Sequence, residues 1–281
     1  YQKGDGYSFG DYPKLTDSYK EGDLGTPNAT WEKAKKFDVG LDMNFLNKFS
    51  FTIDYFLDKR YDQLVTREYI PLVIGIGFSP NNIARTTNQG FDGQISYQDR
   101  FGDFDFNTNL VFSYAKNRVD YKAEAQQKYP WLAATGKPLN QPFGYKWIGY
   151  YTPEDVAKIR SGASDAPAAP YTDIPVQAGD LKYADLNNDG TIDDYDKSAI
   201  GKPNLPSTTL GWSFGGYWRG FSFNVLFQGS FDYSFAINGT GIESFKSQFQ
   251  PIHTSRWTLE RYQNGEEIGF PRLTTNPSTC L

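Results

Sequence analysis

The stretch FDVGLDMNFLNKFSFTIDYFL, residues 37–57, decides the fold. Apolar side chains occupy every second position over residues 37–45 and again over residues 49–57, and most positions between them are polar. Side chains of a β-strand alternate between two faces, so this period predicts two strands with one apolar and one polar face each. The intervening Asn47-Lys48 dipeptide predicts a tight turn, which makes the pair a hairpin.

The same pattern recurs twice further along the chain. Residues 91–98 and 104–114 alternate around a turn at Arg100–Asp103, and residues 210–227 alternate around Arg219-Gly220. The predicted polar faces carry carboxylate and amide side chains, namely Asp38, Asp42, Asp54, Asp92, Asp105 and Asn107. The turns within hairpins are short, whereas tens of residues separate one hairpin from the next, over 60–87 and 117–206.

This asymmetry of connections predicts an all-β, antiparallel transmembrane β-barrel with long extracellular loops. Outer-membrane barrels join their strands by short turns on one side and long loops on the other, with apolar residues outward and polar residues inward. A soluble sheet with one wet face alternates identically, but long loops seldom separate its hairpins. Six strands leave open edges that lipid does not tolerate, so we expect these three hairpins to belong to a larger barrel.

Composition excludes several other classes of protein. Aromatic residues make up 17% of the 281 residues, mean hydropathy is -0.60, and no apolar run of about 18 residues could form a transmembrane helix. A net charge of -5 gives no reason to expect nucleic acid as a partner. The lone Cys280 excludes an internal disulfide and a CxxC metal site, and the lone His253 leaves no Ser/His/Asp constellation. We therefore expect no catalytic residues and no enzymatic activity.

The longest predicted loop, residues 117–206, contains the acidic stretch DLNNDGTIDDYD at residues 185–196. Its spacing is that of an EF-hand-like calcium loop, with alternating side-chain oxygens, a glycine at the sixth position and a carboxylate at the twelfth. The predicted ligands of a structural Ca²⁺ ion are Asp185, Asn187, Asp189, Thr191, Asp193 and Asp196. The alternative is a solvated acidic turn whose Asn, Asp and Gly residues serve only the backbone geometry.

The predicted loops also supply a short helix and several candidate binding residues. Residues 153–159 form the predicted helix, with Thr152 as its N-cap. Aromatic rings in the loops could stack on sugar rings or on a partner protein, although local packing of the loop onto itself is the alternative for each ring. The candidate substrate-binding residues are Trp131, Trp147, Tyr150, Tyr151 and Trp257.

An ordered set of segments resembles the SusC/RagA family of TonB-linked outer-membrane transporters. No single segment is decisive, but together they cover nearly the whole chain in the right order. They are NATWEKAKKFDVGLD (28–42), IDYFLDKRYDQL (53–64), NQGFDGQISY (88–97), GDLKYADLNNDGTIDDYDKSAIGKP (179–203), RWT (256–258) and FPRL (270–273).

The resemblance implies that residues 1–281 are a late part of a barrel of about 22 strands, without its plug domain and last strands. It implies a TonB-dependent importer of oligosaccharides or peptides in the outer membrane of Bacteroidetes. The implied partners are a SusD-like surface lipoprotein, the rest of the barrel and plug, TonB, membrane lipid and the substrate. A soluble calcium-stabilised carbohydrate-binding or adhesion module stays open as the alternative. A secreted glycosidase would need two carboxylates about 5–9.5 Å apart, and no motif indicates such a pair.

Overall fold

The computed structural model describes residues 2–4, 6–8, 15–20, 25–68, 78–171, 174–236 and 250–274. Cys280 and most of the apolar stretch 70–78 lie outside the described residues. The strands are β1 (Gln2–Lys3), β2 (Tyr7–Ser8), β3 (Leu15–Thr16), β4 (Tyr19–Lys20), β5 (Lys33–Phe45), β6 (Phe49–Val65), β7 (Asn81–Phe101), β8 (Phe104–Tyr121), β9 (Phe143–Tyr145), β10 (Trp147–Tyr150), β11 (Ala169–Pro170), β12 (Leu181–Tyr183), β13 (Thr191–Ile192), β14 (Lys197–Ala199), β15 (Thr208–Trp218) and β16 (Phe221–Phe231). The helices are α1 (Pro153–Ser161) and α2 (Leu259–Asn264), with 3₁₀ turns at Pro130–Leu132, Asp194–Asp196 and Pro251–Ser255.

The chain divides into two compact units. A sheet unit comprises Tyr1–Gln127, Ala133–Leu139 and Leu205–Tyr233, and a loop unit comprises Lys128–Leu132, Asn140–Asn204 and Ser234–Leu281. In the part of the chain that the structure describes, neither helix is long and apolar enough to cross a membrane.

A single antiparallel sheet of six strands, in the order β16-β15-β8-β7-β6-β5, forms the sheet unit's main element. The three predicted hairpins are therefore confirmed. Their turns are residues 46–48, 102–103 and 219–220. Each turn contains a residue with positive φ, at Asn47 (53°), Gly102 (63°) and Gly220 (95°), as tight reversals of antiparallel strands require.

The strand register gives the sheet one apolar face that runs without interruption across all six strands. Because side chains directly opposite each other share a face, each cross-strand row can be assigned to one of the two faces. Two central rows are Leu41-Ile53-Gly93-Phe112-Leu210-Gly229 and Met43-Phe51-Ile95-Leu110-Trp212-Phe227. Rows on the other face pair Asp54 with Asp92 and Asn107 with Gly215. The predicted sorting of side chains between the two faces is thus confirmed.

Phe56 interrupts the polar face, and its position explains a glycine on the neighbouring strand. Phe56 lies opposite Gly90. A Cβ on Gly90 would come within 2.8 Å of Phe56 Cζ and would collide with the carbonyl oxygen of Tyr114. Only a glycine at position 90 leaves room for the Phe56 ring to lie against the backbone of the neighbouring strand.

The inner strands are longer than the alternation predicts. β6, β7 and β8 have 17, 21 and 18 residues, so the predicted loop over 60–87 shrinks to residues 66–80 and is wrong at both ends. The alternation of apolar residues extends only as far as one face of the sheet is in an apolar environment. Backbone pairing between the strands continues beyond that point. Beyond the apolar face the strands carry polar pairs, such as Thr86 Oγ1, which donates to Gln63 Oε1 at 3.0 Å.

These extensions contain the sheet's irregularities. The β6–β7 ladder shifts register on both sides of Gln63, and the β7–β8 ladder shifts between Arg85 and Thr86. Asp62 takes a positive φ of 56° at the first shift. Such β-bulges bend a strand and increase its twist. Below them, towards the hairpin turns, the three ladders between β5 and β8 run without a shift.

Two short ladders precede β5. β1 pairs with β4 and β2 pairs with β3. The segment leading into β5 is fixed by Asn82, whose Oδ1 accepts from the Thr30 N–H at 2.9 Å and whose Nδ2 donates to the Thr30 carbonyl at 2.7 Å.

Candidate functional site

Three small ladders and two capped helices build the loop unit. β10 pairs with β12, β9 with β14 and β11 with β13. The predicted helix is confirmed as α1 and runs to Ser161. Thr152 caps it by accepting from the Asp155 N–H at 3.1 Å, while the Asp155 carboxylate accepts from the Thr152 N–H at 3.2 Å. Gly162, with φ of 67°, ends it. This reciprocal cap satisfies two backbone donors of the first turn.

Asp155 also ties α1 to the neighbouring strand β12. Lys182 Nζ lies 2.9 Å from Asp155 Oδ2. Burial alone would raise the pKa of Asp155, but the hydrogen bonds from Lys182 and from the Thr152 N–H outweigh it, so the pKa lies below its usual value. The carboxylate is therefore charged at neutral pH and holds the helix on the ladder.

The acidic loop 185–196 is shaped by its own side chains. Asp185 Oδ2 accepts from the Gly190 N–H at 2.8 Å, Asp189 Oδ1 accepts from the Thr191 N–H at 2.9 Å, and Asp193 Oδ1 accepts from the Tyr195 N–H at 2.8 Å. Each of these three carboxylates thereby uses one oxygen to fix the backbone. Asp189 uses its second oxygen as well, because Oδ2 accepts from Asn187 Nδ2 at 2.8 Å.

Asp196, at the twelfth position of the loop, is completely buried. Its two oxygens accept from the Leu186 N–H at 2.8 Å and the Asp193 N–H at 2.9 Å, so it closes the loop by hydrogen bonds. By contrast, Asp185 Oδ1 is buried and accepts no hydrogen bond from the described residues. A buried carboxylate oxygen without a donor is a position that a cation would stabilise.

Within the described residues, no group of three or more His, Cys, Asp or Glu side chains is arranged to hold a metal ion. A calcium ion at the acidic loop would therefore need amide and backbone oxygens as well. Asn187 and the Thr191 carbonyl are the predicted ligands of that kind. Asn187 Oδ1 already accepts from the Asp189 N–H at 3.1 Å, and its Nδ2 donates to Asp189 Oδ2 at 2.8 Å.

A groove of about 670 Å³ on the loop unit brings two of the predicted binding residues together, Trp131 and Trp147. Trp131 is held from both sides, because its ring stacks on Tyr129 with centroids 4.6 Å apart and its Nε1 donates to the Tyr195 carbonyl at 2.8 Å. Trp147 is 54% exposed. The groove is lined by Trp131, Tyr145, Lys146, Trp147, Leu186, Ser198, Ala199, Ile200 and Gly201.

Tyr145 adds a polar edge to this groove. Its ring has Lys197 Nζ 5.4 Å above the centroid, and Lys197 pairs with Asp194 at 2.7 Å. Burial raises the pKa of the Tyr145 phenol, Asp194 adds to this and Lys197 opposes it. The phenol stays protonated at neutral pH and can donate a hydrogen bond. The groove thus combines flat apolar rings with a hydroxyl and the amine of Lys146, which suits a ligand with apolar faces and polar edges.

The other three predicted aromatic residues do not line the groove. Tyr150 is half-buried and lies edge-on to Trp147 with centroids 5.6 Å apart. Tyr151 is 1% exposed and donates its hydroxyl to the Ala168 carbonyl at 2.6 Å. The prediction that Tyr151 binds substrate is therefore wrong, because its ring lies in the interior of the loop unit. Trp257 packs against Gly179, where a Cβ would come within 2.5 Å of the ring.

A second cluster joins the late loop to the start of the acidic segment. Asp180 is 4% exposed and accepts from Arg272 Nε at 2.6 Å and from the Gln177 N–H at 2.9 Å. The lone histidine serves the same late loop, since His253 is buried and its Nδ1 accepts from the Gln250 N–H at 2.9 Å. The Asp180–Arg272 pair and His253 thus hold the late loop in place.

Sequence reasoning missed an aromatic residue on the sheet unit. Trp31 is 91% exposed and borders a mainly apolar recess of about 580 Å³. The sequence could have indicated Trp31, because it lies directly before β5 in the segment 28–42 that resembles the SusC/RagA family. The recess is also lined by Leu64, Val65, Ala84, Val119, Tyr121 and Leu139, among others.

Comparison with known proteins places these features in a family context. A profile of the family described as "TonB dependent receptor-like, beta-barrel" matches residues 3–238. Two relatives come from Formosa agariphila. TonB-dependent receptor P3 is 28% identical over 226 residues, which is 74% of this chain. TonB-dependent receptor P26 is 24% identical over 258 residues, which is 88% of it. The chain spans only 21% and 23% of the lengths of these two proteins.

Solved structures share the fold. The chain superimposes on the RagAB peptide transporter with a TM-score of 0.61 and 18% identity, covering 98% of this chain and 29% of that one. A TM-score of 0.56 and 17% identity relate it to the RagAB peptide importer in the closed-closed state, covering 81% and 24% of the two chains.

Proposed function

Since the chain belongs to the TonB-dependent receptor-like β-barrel family, as the SusC/RagA resemblance predicted, we propose that it supplies six consecutive strands of an outer-membrane importer. Proteins of this family are receptors and transporters, not enzymes. Because the relatives are several times longer, other parts of the full-length protein would supply the remaining strands, the plug and the contact with TonB.

The observation that carries this proposal is the continuous apolar face of the six-stranded sheet. Its central residues remain exposed, as Leu41 (50%) and Trp212 (44%) show. An exposed apolar surface of this extent is unfavourable in water and favourable against lipid chains. The opposite face, with Asp54 and Asp92, would then line the lumen. The long connections leave the sheet at the end opposite the hairpin turns, and we place that end outside the cell.

The groove of Trp131 and Trp147 is the proposed binding site for substrate. Rings in an open groove can stack on the apolar face of a sugar or on side chains of a peptide. The similar solved structures are described as peptide importers, which supports a peptide, whereas the ring geometry suits an oligosaccharide equally. A SusD-like surface lipoprotein would cover the extracellular mouth and share the bound substrate.

The test uses the full-length protein in its own outer membrane. Candidate oligosaccharides and oligopeptides are supplied to cells, and uptake and binding are measured for the native protein and for Trp131→Ala/Trp147→Ala. We expect ligand affinity to fall about two- to tenfold for each ring removed. Tyr171→Ala, which removes a 92% exposed ring of the same unit, is the matched control.

Fractionation tests the broader proposal separately. The full-length protein should require detergent for extraction and should show a folded, heat-modifiable band in the outer-membrane fraction. A folded, monodisperse protein recovered from buffer alone would refute the membrane assignment. Copurification with a surface lipoprotein tests the proposed partner. Deletion of that lipoprotein should then reduce uptake.

We also propose that the acidic loop holds a structural calcium ion. Asp185, Asn187, Asp189 and the Thr191 carbonyl would bind it, while Asp193 and Asp196 keep the loop in shape. The buried, donor-free Asp185 Oδ1 supports this assignment. Asp185→Ala/Asp189→Ala should remove bound calcium, measured by elemental analysis, and should abolish the effect of chelators on loop protection. Equal calcium content in native and variant proteins would reject it.

A further inference from the structure

Basic side chains of β5, β6 and β8 lie directly beyond the apolar face of the sheet. In the register, Lys35 lies opposite Lys59, Lys59 opposite Thr87, and Thr87 opposite Arg118. The next row towards the hairpin turns is Phe37-Leu57-Gln89-Lys116. We refer to Lys35, Lys59, Lys116 and Arg118 as the basic rim.

The basic rim faces the same way as the apolar rows. Lys35 and Lys59 each lie two residues beyond an apolar residue of that face, Phe37 and Leu57 respectively, so the strand period keeps them on one side. Lys116 and Arg118 continue the series of Phe112 and Tyr114 on β8. All four basic residues are exposed. One row corresponds to about 7 Å along a strand, so the rim borders the apolar band directly.

Positive charge is in excess at this border. Asp120 pairs with Arg118 at 2.8 Å and also accepts from the Thr87 hydroxyl. Within the described residues, no ion pair involves Lys59 or Lys116, and Lys35 lies 5.6 Å from the centre of the Tyr61 ring. Asp62, the next carboxylate beyond the rim, is paired with Lys33 at 2.8 Å.

The other border of the apolar face is balanced. Two ion pairs form there, each joining one cation to one carboxylate, Lys48–Asp99 at 2.7 Å and Arg219–Asp103 at 2.9 Å. A third pair at the hairpin-turn end, Arg100–Asp105 at 3.4 Å, lies on the polar face. The two borders therefore differ in the charge that they offer to a membrane surface.

We propose that the basic rim binds lipid-borne phosphate, namely the phosphorylated sugar head group of the glycolipid in the outer leaflet. This inference rests on the proposed function, which places the loop end of the sheet outside the cell. Long Lys and Arg side chains can keep their stems on the apolar surface and reach a head group with their charged ends. The acyl chains of the same lipid molecule would cover the apolar rows below.

The experiment uses the full-length protein in nanodiscs made from phosphatidylethanolamine with monophosphorylated lipid A, or with the same lipid A after dephosphorylation. Native mass spectrometry measures how much lipid A stays bound. The test variant is Lys35→Gln/Lys59→Gln. The control is Lys36→Gln/Arg60→Gln, which removes two charges from the same strands but from the polar face.

Each rim charge should contribute about fivefold to phosphate-dependent affinity at low ionic strength. The test variant should therefore lose roughly twentyfold, the control should lose nothing, and Lys35→Arg/Lys59→Arg should retain binding. If the test variant does not assemble, Lys116→Gln/Arg118→Gln probes the same rim.

Three outcomes would overturn the proposal. In the first, the test and control variants both retain as much lipid A as the native protein. In the second, both variants lose lipid A equally. In the third, the test variant loses as much dephosphorylated lipid A as phosphorylated lipid A. Displacement by millimolar inorganic phosphate alone would indicate a free-ion site instead. Failure of the proposed function would look different, because the native protein would then not enter nanodiscs at all.

Discussion

Arg272 Nε lies 2.6 Å from Asp180 Oδ1, and this ion pair joins segments that are 92 residues apart in the chain. Asp180 is 4% and Arg272 15% exposed at the side chain. The Arg272 N–H also donates to the Gly179 carbonyl at 3.0 Å. The late loop is therefore fastened to the strand that leads into the acidic loop by both a buried charge pair and a backbone bond.

Arg272→Ala should open the late loop of the loop unit. Removing one partner leaves a buried carboxylate without its cation, which costs about 3–5 kcal/mol. Hydrogen exchange at the amides of residues 179 and 272 measures the local opening. Arg261→Ala, which breaks an exposed pair with Glu266 at 3.1 Å, should change exchange little. Unchanged protection in Arg272→Ala would contradict the prediction.

Neighbouring residues of β7 test which face of the sheet meets lipid. Ile95 belongs to the central apolar row, while Gln94 lies on the polar face. Ile95→Arg should lower the free energy of unfolding in a bilayer by about 2–4 kcal/mol if that row lies near the bilayer centre. Gln94→Arg should have a small effect. The measurement is urea unfolding of the full-length protein in vesicles, and equal effects would argue against the assigned orientation.

Gly90 should tolerate no larger side chain. A Cβ there collides with the Tyr114 carbonyl oxygen and crowds Phe56, so Gly90→Val should separate β7 from β8 locally. We expect a destabilisation of about 1–3 kcal/mol and a smaller folded fraction in outer-membrane preparations. Gly211→Ala is the control, because its Cβ would meet nothing within 4 Å. A fully folded Gly90→Val protein would contradict the prediction.

Acid should loosen α1 through Asp155. Burial acts to raise the pKa of this carboxyl, yet the hydrogen bonds from Lys182 and Thr152 bring it below its ordinary value of 3.8. A lowered folded-state pKa means that the stabilisation is fully present above the ordinary value and is lost as the pH falls through the lower one. Hydrogen exchange at the first turn of α1 should therefore rise only in strong acid.

Two variants check the sign of this dependence. Lys182→Met removes the main hydrogen-bond donor and so raises the folded-state pKa of Asp155, which should lower protection at pH 7 and shrink its dependence on acid. Asp155→Asn should weaken the first turn by about 1–2 kcal/mol at pH 7 and should remove most of the acid dependence. An acid profile that is identical in all three proteins would refute the assignment to Asp155.

The sequence predicted the six long strands because an apolar surrounding imposes a strict period on them. It did not predict that β6 continues past Arg60, because the polar residues there keep their backbone pairing without any apolar period. The groove was also beyond sequence reasoning. Trp131 and Trp147 lie 16 positions apart, and the Tyr195 carbonyl together with the β9–β14 ladder brings them to one place. Tyr151 could not be distinguished from Tyr150, since only the three-dimensional packing buries one of them.

The register shifts near Gln63 and Arg85 have a consequence for how such a chain can vary. Between the hairpin turns and these bulges, inserting one residue would move every following side chain to the opposite face, so strand length is fixed there. Beyond the bulges, the ladders already accommodate extra residues. On the hairpin side of the bulges, evolution can therefore change only the identity of residues. On the loop side it can also change their number. Loops of new length, and with them new ligands, can arise above this level without altering the membrane-facing part of the sheet.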